Sequence, residues 1–460
     1  MQLTFYGGVG SVTGANFLLR AGEISLLVDC GLLQGVEGAD SFNKQNFPYD
    51  PSKINYLFVT HAHMDHIGRI PKLVKEGFSG VIYSTEQTKE IAMLMFEDAL
   101  KIMNIRAENS SEKSFSKASN SQSESIYNRE DVENTFSMWK TLKYRDEFSL
   151  DGGLSVTALD AGHILGSVMY KFTFKGKTII FTGDSGNSPS PLLPDTDPVT
   201  GADYLVLDSV YGDRNHEPKD ERDRRFVQIV NESLERGGSL VIPAFSIERT
   251  QVILYELNNM VEEGKIKSVP VYLDSPLAMR VTEVYKRSTN LFNQKIENEI
   301  KGGDNIFSFS KLHIVHSSLE SAQIENSPNP KIILAGSGMS EGGRVVRHEA
   351  FAIGDPNSTI LLMGYQAIGT LGRHIQDKPS QIEIEGKILP VKAKIEMISG
   401  YSSHKDMEHL IQMAEQTADS VKKIFVVMGE PKASTFLVQR IKDEFDLNAV
   451  YPERGEVYEL

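Results

Sequence analysis

The chain has 460 residues, 40% of them hydrophobic and 24% charged, the balance of a globular protein long enough for two or three domains. A formal net charge of −14 excludes a protein that coats nucleic acid through bulk positive charge, and the single cysteine, Cys30, excludes an internal disulfide or a cysteine zinc cage. No apolar run is long enough to span a bilayer and the start, Leu3-Thr4-Phe5-Tyr6, carries no basic leader, so a soluble, reduced, cytoplasmic protein without membrane contact is expected.

The first landmark is Gly7-Gly8-Val9-Gly10-Ser11-Val12-Thr13-Gly14, which misses the dinucleotide-binding glycine spacing by one residue and reads as a turn between strands. The apolar run 24–28 predicts a strand closing on Asp29, with Cys30 as a packing residue beyond it. Tyr56-Leu57-Phe58-Val59 predicts a second buried strand. It delivers Thr60-His61-Ala62-His63-Met64-Asp65-His66, with three imidazoles and a carboxylate within six residues. Imidazole and carboxylate donors at the end of a strand suit divalent metals such as zinc. With only 11 histidines in the chain, a merely solvated polar loop is a poor account of that density.

Helical spacing of Ile91, Leu94, Met95, Ala99 and Ile102 predicts a helix over 88–106. The Ser-, Asn-, Glu- and Lys-rich stretch 107–128 predicts a flexible surface insertion. Two more strands then lead into polar turns. The run 154–159 leads to Asp160-Ala161-Gly162-His163, and 177–181 leads to Thr182-Gly183-Asp184. From 209 to 379 strands (239–243, 269–273, 331–335, 358–363) alternate with helices (222–236, 248–263, 277–286), which predicts a mostly parallel sheet flanked by helices. The strand 391–398 leads through Ser399-Gly400-Tyr401 to Ser402-Ser403-His404, and strand 424–428 and a terminal helix close the chain.

These motifs resemble the metallo-β-lactamase superfamily, which carries an HxHxDH signature, a later histidine and a TGD aspartate. More narrowly, the chain resembles the β-CASP branch of nucleases, the group containing ribonuclease J and the nuclease of the eukaryotic cleavage and polyadenylation machinery. The segments that carry the likeness are Leu207-Asp208-Ser209-Val210-Tyr211-Gly212, Ile242 to Ser246, Leu273 to Ala278, Gly336 to Arg344, Gly364 to His374 and Gly400 to His404. The resemblance implies an α/β protein: an αββα sandwich over 1–208 and 380–460, with a β-CASP domain inserted over 209–379.

It also implies a site. His61, His63 and His163 would hold one zinc, Asp65, His66 and His404 another, with Asp184 bridging; manganese could replace zinc. Asp29 would orient ligands from behind. Asp208 and His374 would supply the general acid, although the branch more often has glutamate at 208, one methylene longer. Phosphodiester hydrolysis asks for such groups: an ionised water, compensation of phosphate charge and a proton for the departing oxygen.

The expected activity is therefore zinc-dependent hydrolysis of single-stranded RNA, as an endonuclease, a 5′-to-3′ exonuclease or both. The net charge leaves binding to a local groove, for which Arg249, Arg280, Arg344, Arg347 and Arg373 are candidates. Ser337, Gly338, Met339 and Arg344 are the candidates for holding an RNA phosphate, because the loop is glycine-rich. No appended KH domain is recognisable, so substrate selection is expected to be loose or to come from a homodimer or protein partner. A DNA-directed nuclease, a small-molecule hydrolase of the same fold and a non-enzymatic scaffold are the alternatives. The inserted domain, His404 and the complete set of seven ligands weigh against them.

Overall fold

The structure, a computed structural model, describes residues 1–113, 125–367 and 369–460. Its described residues fall into two compact units. The first comprises Met1–Ser188, Asp195–Asn215 and His404–Leu460; the second comprises Pro189–Pro194 and His216–Ser403.

The first unit begins with β1 (Gln2–Phe5), β2 (Phe17–Ala21), β3 (Ile24–Val28), β4 (Tyr56–Phe58), β5 (Val81–Thr85) and β6 (Trp139–Leu142). The strands β1 to β3 run antiparallel, and β3 to β6 are parallel neighbours. A second sheet follows from β7 (Glu147–Ser149), β8 (Ser155–Asp160), β9 (Val168–Phe174), β10 (Lys177–Phe181) and β11 (Tyr204–Asp208). Side chains on facing sides of the two sheets make one core. Phe5, Phe17, Val28 and Phe58 meet Val156, Tyr170, Phe172, Phe181 and Val206. The Phe58 ring lies edge-on to Phe172 at 5.0 Å, the geometry that aromatic quadrupoles favour.

The second unit carries β12 (Ser239–Pro243), β13 (Val271–Asp274), β14 (Leu312–Ile314), β15 (Lys331–Ala335) and β16 (Thr359–Met363). A hairpin of β17 (Gln381–Ile384) and β18 (Lys387–Pro390) precedes β19 (Lys394–Ile398). The main sheet runs β14-β13-β15-β12-β16-β19, with every pairing parallel. All residues of β12, β15 and β16 are buried, as strands covered on both faces require, and this is why they stand out as unbroken apolar runs. Helices Lys219–Arg236, Arg249–Glu262 and Pro276–Arg287 lie close to the expected spans.

The chain then returns to the first unit. β20 (Lys423–Val427) pairs with β11, β21 (Ala449–Val450) pairs with β20, and β22 (Val457–Glu459) pairs with β1. Helices Met407–Glu415 and Pro431–Phe445 cover the outer face of the second sheet through Leu410, Ile411, Leu437 and Ile441. The first unit is thus an αββα sandwich, and the second an α/β unit with a parallel sheet.

Three expectations need correction. The strand before His404 does not belong to the resumed first domain: Lys394–Ile398 pairs in register with Thr359–Met363. The return consequently falls at His404, and the outward crossing at His216, beyond the expected 380 and 209. The helix expected over 88–106 runs from Glu86 to Lys113, and its buried face is Ile91, Ala92, Phe96 and Leu100, with Ile102 exposed. The centre of the expected flexible insertion, 114–124, lies outside the described residues. At its far end Tyr127 is buried and Asn128 caps the helix Arg129–Ser137, its side chain accepting from Asp131 N while Asp131 reaches back to Asn128 N. Among the described residues no helix is long and apolar enough to cross a membrane.

Candidate metal centre and active site

The site is assembled by the ends of β3, β4, β8, β10 and β11. At the end of β3 the chain turns at Asp29, with φ 61. This aims a fully buried carboxylate at the next ligand loop. Asp29 Oδ1 accepts from Thr60 N at 2.8 Å, and Oδ2 accepts from Thr60 Oγ1 at 2.7 Å and faces His66 Nδ1 at 2.7 Å. The helix Met64–Ile67 carries Asp65 and His66 directly after His63. Gly31 lets this loop sit down, because a Cβ there would meet Asp65 O at 1.5 Å.

Beyond β8, Gly162 (φ 62) turns the chain so that His163 points back towards His63. Beyond β10, Asp184 enters the same space, and Gly186 pairs with His404 in an isolated antiparallel bridge. A Cβ on Gly186 would lie 1.9 Å from Gly162 O, so the loops bearing His163 and Asp184 touch backbone to backbone.

The donor atoms of His61, His63, His163 and Asp184 all lie within 4.8 Å of one another. His61 Nε2 is 3.0 Å from His63 Nδ1, and His163 Nε2 is 3.3 Å from the same atom. Asp184 Oδ2 is 3.5 Å from His61 Nε2 and 3.6 Å from His163 Nε2. A tetrahedral zinc with arms of about 2.0–2.1 Å spaces its ligands by about 3.3–3.4 Å, so these four atoms fit the corners of one coordination shell. On the other side, Asp184 Oδ1 lies 3.3 Å from His66 Nε2, and both atoms are buried without a hydrogen bond among the described residues. Asp65 Oδ2 is 3.8 Å from His66 Nε2, and His404 Nδ1 is 3.8 Å from Asp184 Oδ2. Convergent donors, with His66 Nε2 and Asp184 Oδ1 buried and unbonded among the described residues, are what a cation site requires.

Without a cation, the charges of these groups are divided. Burial and the neighbouring His66 hold His61 well below the ordinary imidazole range, leaving it neutral and able to donate a lone pair. Burial also opposes a charged His66, but Asp184, Asp29 and Asp65 outweigh it and push that group up. Burial raises Asp65 to about 6, and burial with the nearby Asp184 raises Asp208 to about 7.

Asp208, the last residue of β11, is fully buried in the first unit. Its Oδ1 accepts from Ser185 Oγ at 2.5 Å and Ser185 N at 3.2 Å, while Oδ2 has no hydrogen-bond partner among the described residues. His374 lies in the second unit, exposed on the helix Leu371–Gln376, which Thr370 caps through Arg373 N.

The expected phosphate loop is differently employed. Arg344 donates to Asp274 Oδ1 at 2.6 Å and to Val315 O at 3.3 Å. Ser337 Oγ accepts from Glu341 N, Gly338 O accepts from Gln366 Nε2, and Met339 O accepts from Gly372 N. Of the other expected groove arginines, Arg249 donates to Met363 O, Arg347 pairs with Glu325 and Arg373 pairs with Asp377. These guanidinium groups brace the second unit, each tied to a carboxylate or carbonyl far along or nearby in the chain. Thr60, Ser185 and Lys405 are the site residues that sequence reasoning missed. For the first two a signal existed, since both flank ligand motifs directly. Lys405 flanks His404 just as directly, but a lysine is most often a solvated surface residue and its type gave no reason to single it out.

Side chains able to hold a metal, gathered at the strand ends of an αββα sandwich, fit a metal-dependent hydrolase fold. Family models agree: the metallo-beta-lactamase superfamily domain matches residues 18–195, the Beta-Casp domain 250–375 and the Zn-dependent metallo-hydrolase RNA specificity domain 388–452. The chain belongs to the β-CASP family of the metallo-β-lactamase superfamily. It is 34% identical to a ribonuclease of Thermus thermophilus, over 94% of this chain and 93% of that one. It is 29% identical to an RNase J-like protein of Methanocaldococcus jannaschii, with 99% of each covered, and 28% identical to the transcription termination factor FttA of Pyrococcus abyssi, over 100% of this chain and 71% of that one. A solved structure of a protein of unknown function from Enterococcus faecalis V583 shares the fold, with TM-score 0.56 at 13% identity over 100% of this chain and 99% of that one.

Proposed function

We propose that this chain is a zinc-dependent ribonuclease that hydrolyses phosphodiester bonds in single-stranded RNA. The observation that carries the reading is Asp184. Its Oδ2 faces His61 and His163, with His404 3.8 Å from the same oxygen, and its Oδ1 faces His66, so donors approach both oxygens, as a ligand shared by two cations would allow. We assign His61, His63 and His163 to one zinc, Asp65, His66 and His404 to the other, and Asp184 to both. These residues would hold two divalent ions, whose chemistry when bound would be water activation and compensation of phosphate charge.

The chain's own residues do the rest. Asp29 accepts from Thr60 and holds His66 in the tautomer that leaves Nε2 free to ligate. Asp184 keeps its negative charge against burial because His66 and His61 favour it. His374 is the group assigned to protonate the departing oxygen, and Asp208 is assigned to the same general-acid step. The ribonuclease names of relatives at this coverage support RNA as substrate. Manganese in place of zinc, a homodimer or partner that selects substrate, and a cytoplasmic location complete the reading.

The test is cleavage of single-stranded RNA and matching DNA, labelled separately at the 5′ and 3′ ends, with and without chelator. We expect chelator-sensitive cleavage of RNA, reduced about 10²–10⁴-fold in His374→Ala with metal still bound. The label pattern separates stepwise 5′ release from internal cuts. Metal-loaded protein that cleaves neither strand would overturn the assignment.

A further inference from the structure

The loop that follows Asp184 is held by a residue outside the ligand set. Lys405 is buried, at 5% exposure, one position after His404. Its backbone N donates to Ser185 O at 2.8 Å, and its ammonium donates to Gly186 O at 2.8 Å and Ser188 Oγ at 3.0 Å. One residue thus grips three of the four positions after Asp184, while Gly186 bridges back to His404 and presses on Gly162. Within the gripped loop, Ser185 Oγ bonds Asp208.

A buried ammonium is a costly way to fill space, and an apolar side chain of the same length would fill it without that cost. What the ammonium adds is direction: two hydrogen bonds from a charged donor to a loop with no regular secondary structure of its own. Asp195, Asp208 and Asp406 supply the compensating negative charge.

We propose that Lys405 is a positioning residue of the metal centre, stapling the 185–188 loop to the His404 segment so that Asp184, His404 and Asp208 keep one mutual geometry. This rests on the two-zinc reading above. The staple acts on Asp184 and His404, so its loss falls on the ion shared by Asp65, His66 and His404 more than on the ion held by His61, His63 and His163. The sign is diagnostic. Removing a positive charge beside a cation site would, by electrostatics alone, tighten metal binding. Weakening can come only from lost geometry.

The experiment is zinc titration of the full-length, metal-stripped chain against a chromophoric chelator, for wild type, Lys405→Met and Ser188→Ala, with the apo melting temperature recorded for each. Wild type should bind two zinc ions. Lys405→Met should weaken one of them by about 10–100-fold, the usual effect of losing an outer partner, and leave the other near its wild-type affinity. Ser188→Ala, which removes one acceptor from a loop side chain, should shift the same ion in the same direction by less. A lysine that only supports the fold would lower the apo melting temperature and leave both affinities unchanged, and that result overturns the proposal. So does tighter binding. Should Lys405→Met fail to fold, an unchanged affinity in Ser188→Ala overturns it. Wild type that binds no zinc refutes the metal-centre reading itself and is distinguishable from either.

Discussion

Asp29 Oδ2 lies 2.7 Å from His66 Nδ1, with both side chains fully buried. A carboxylate behind an imidazole fixes which nitrogen carries the proton and which faces the cation. In Asp29→Ala, zinc affinity should fall about 10–100-fold, measured by chelator competition. Thr60 loses its acceptor too, so cleavage should fall with metal occupancy and recover in excess zinc.

Asp208→Asn separates proton transfer from metal binding. The amide oxygen still accepts from Ser185, so the loop after Asp184 keeps its anchor. The carboxylate charge is gone. We expect zinc content to stay at the wild-type level and kcat to drop by about 10²–10⁴-fold, with KM little changed. A variant that loses metal instead would place Asp208 among the ligands.

Gly31→Ala tests backbone contact as the origin of the site's precision. The new methyl group would need the space of Asp65 O, a backbone atom that cannot rotate away. Urea unfolding should show a loss of roughly 3 kcal/mol, and zinc binding should weaken because the HxHxDH loop must shift outward.

Glu349 gives the second unit a pH signature of its own. It is fully buried and accepts from Ser340 Oγ at 2.6 Å. Burial pushes it from the ordinary 4.5 up to about 8. Below pH 4.5 the folded and unfolded chains are both protonated there, and the group contributes nothing. Between 4.5 and 8 the unfolded chain releases its proton first, so stability falls as pH rises; above 8 it is level again. The loss by pH 7 is roughly 3 kcal/mol on this basis. Glu349→Gln keeps the acceptor for Ser340 and removes the titration. Its stability relative to wild type, from urea unfolding at pH 5 and pH 8, should rise with pH. An equal difference at both values would show that Glu349 is ionised in the folded chain.

Much of the centre was legible because its ligands are local in sequence. Four of the seven proposed ligands, His61, His63, Asp65 and His66, share one six-residue loop, and the other three follow apolar strands that announce themselves. The parallel sheet of the second unit was equally legible, since strands buried on both faces leave unbroken apolar runs. Relations between distant segments left no such trace. Arg344 looked available because it follows two glycines, but the partner that takes it, Asp274, stands at the end of another strand. Strand 394–398 alternates Lys394 and Glu396 with apolar residues, and its side chains do not say which sheet it joins. Ile102 fits a helical stripe by spacing, yet it is exposed. Periodicity reports that a face is buried, never by what.

The pairing of β20 with β11 dictates an order of events during synthesis. Tyr204–Asp208 waits with an open edge until Lys423–Val427 arrives to lie beside it, and β1 waits still longer for Val457–Glu459. The second unit, encoded in between, holds all strands of its own sheet by Ile398 and can form while the first is incomplete. A ribosome-bound chain therefore exposes an unpaired strand edge for nearly half its translation, a hazard that nascent-chain binding factors exist to manage. His404 is made near the end of that interval, so a cation that needs it would be acquired late in the life of the nascent chain.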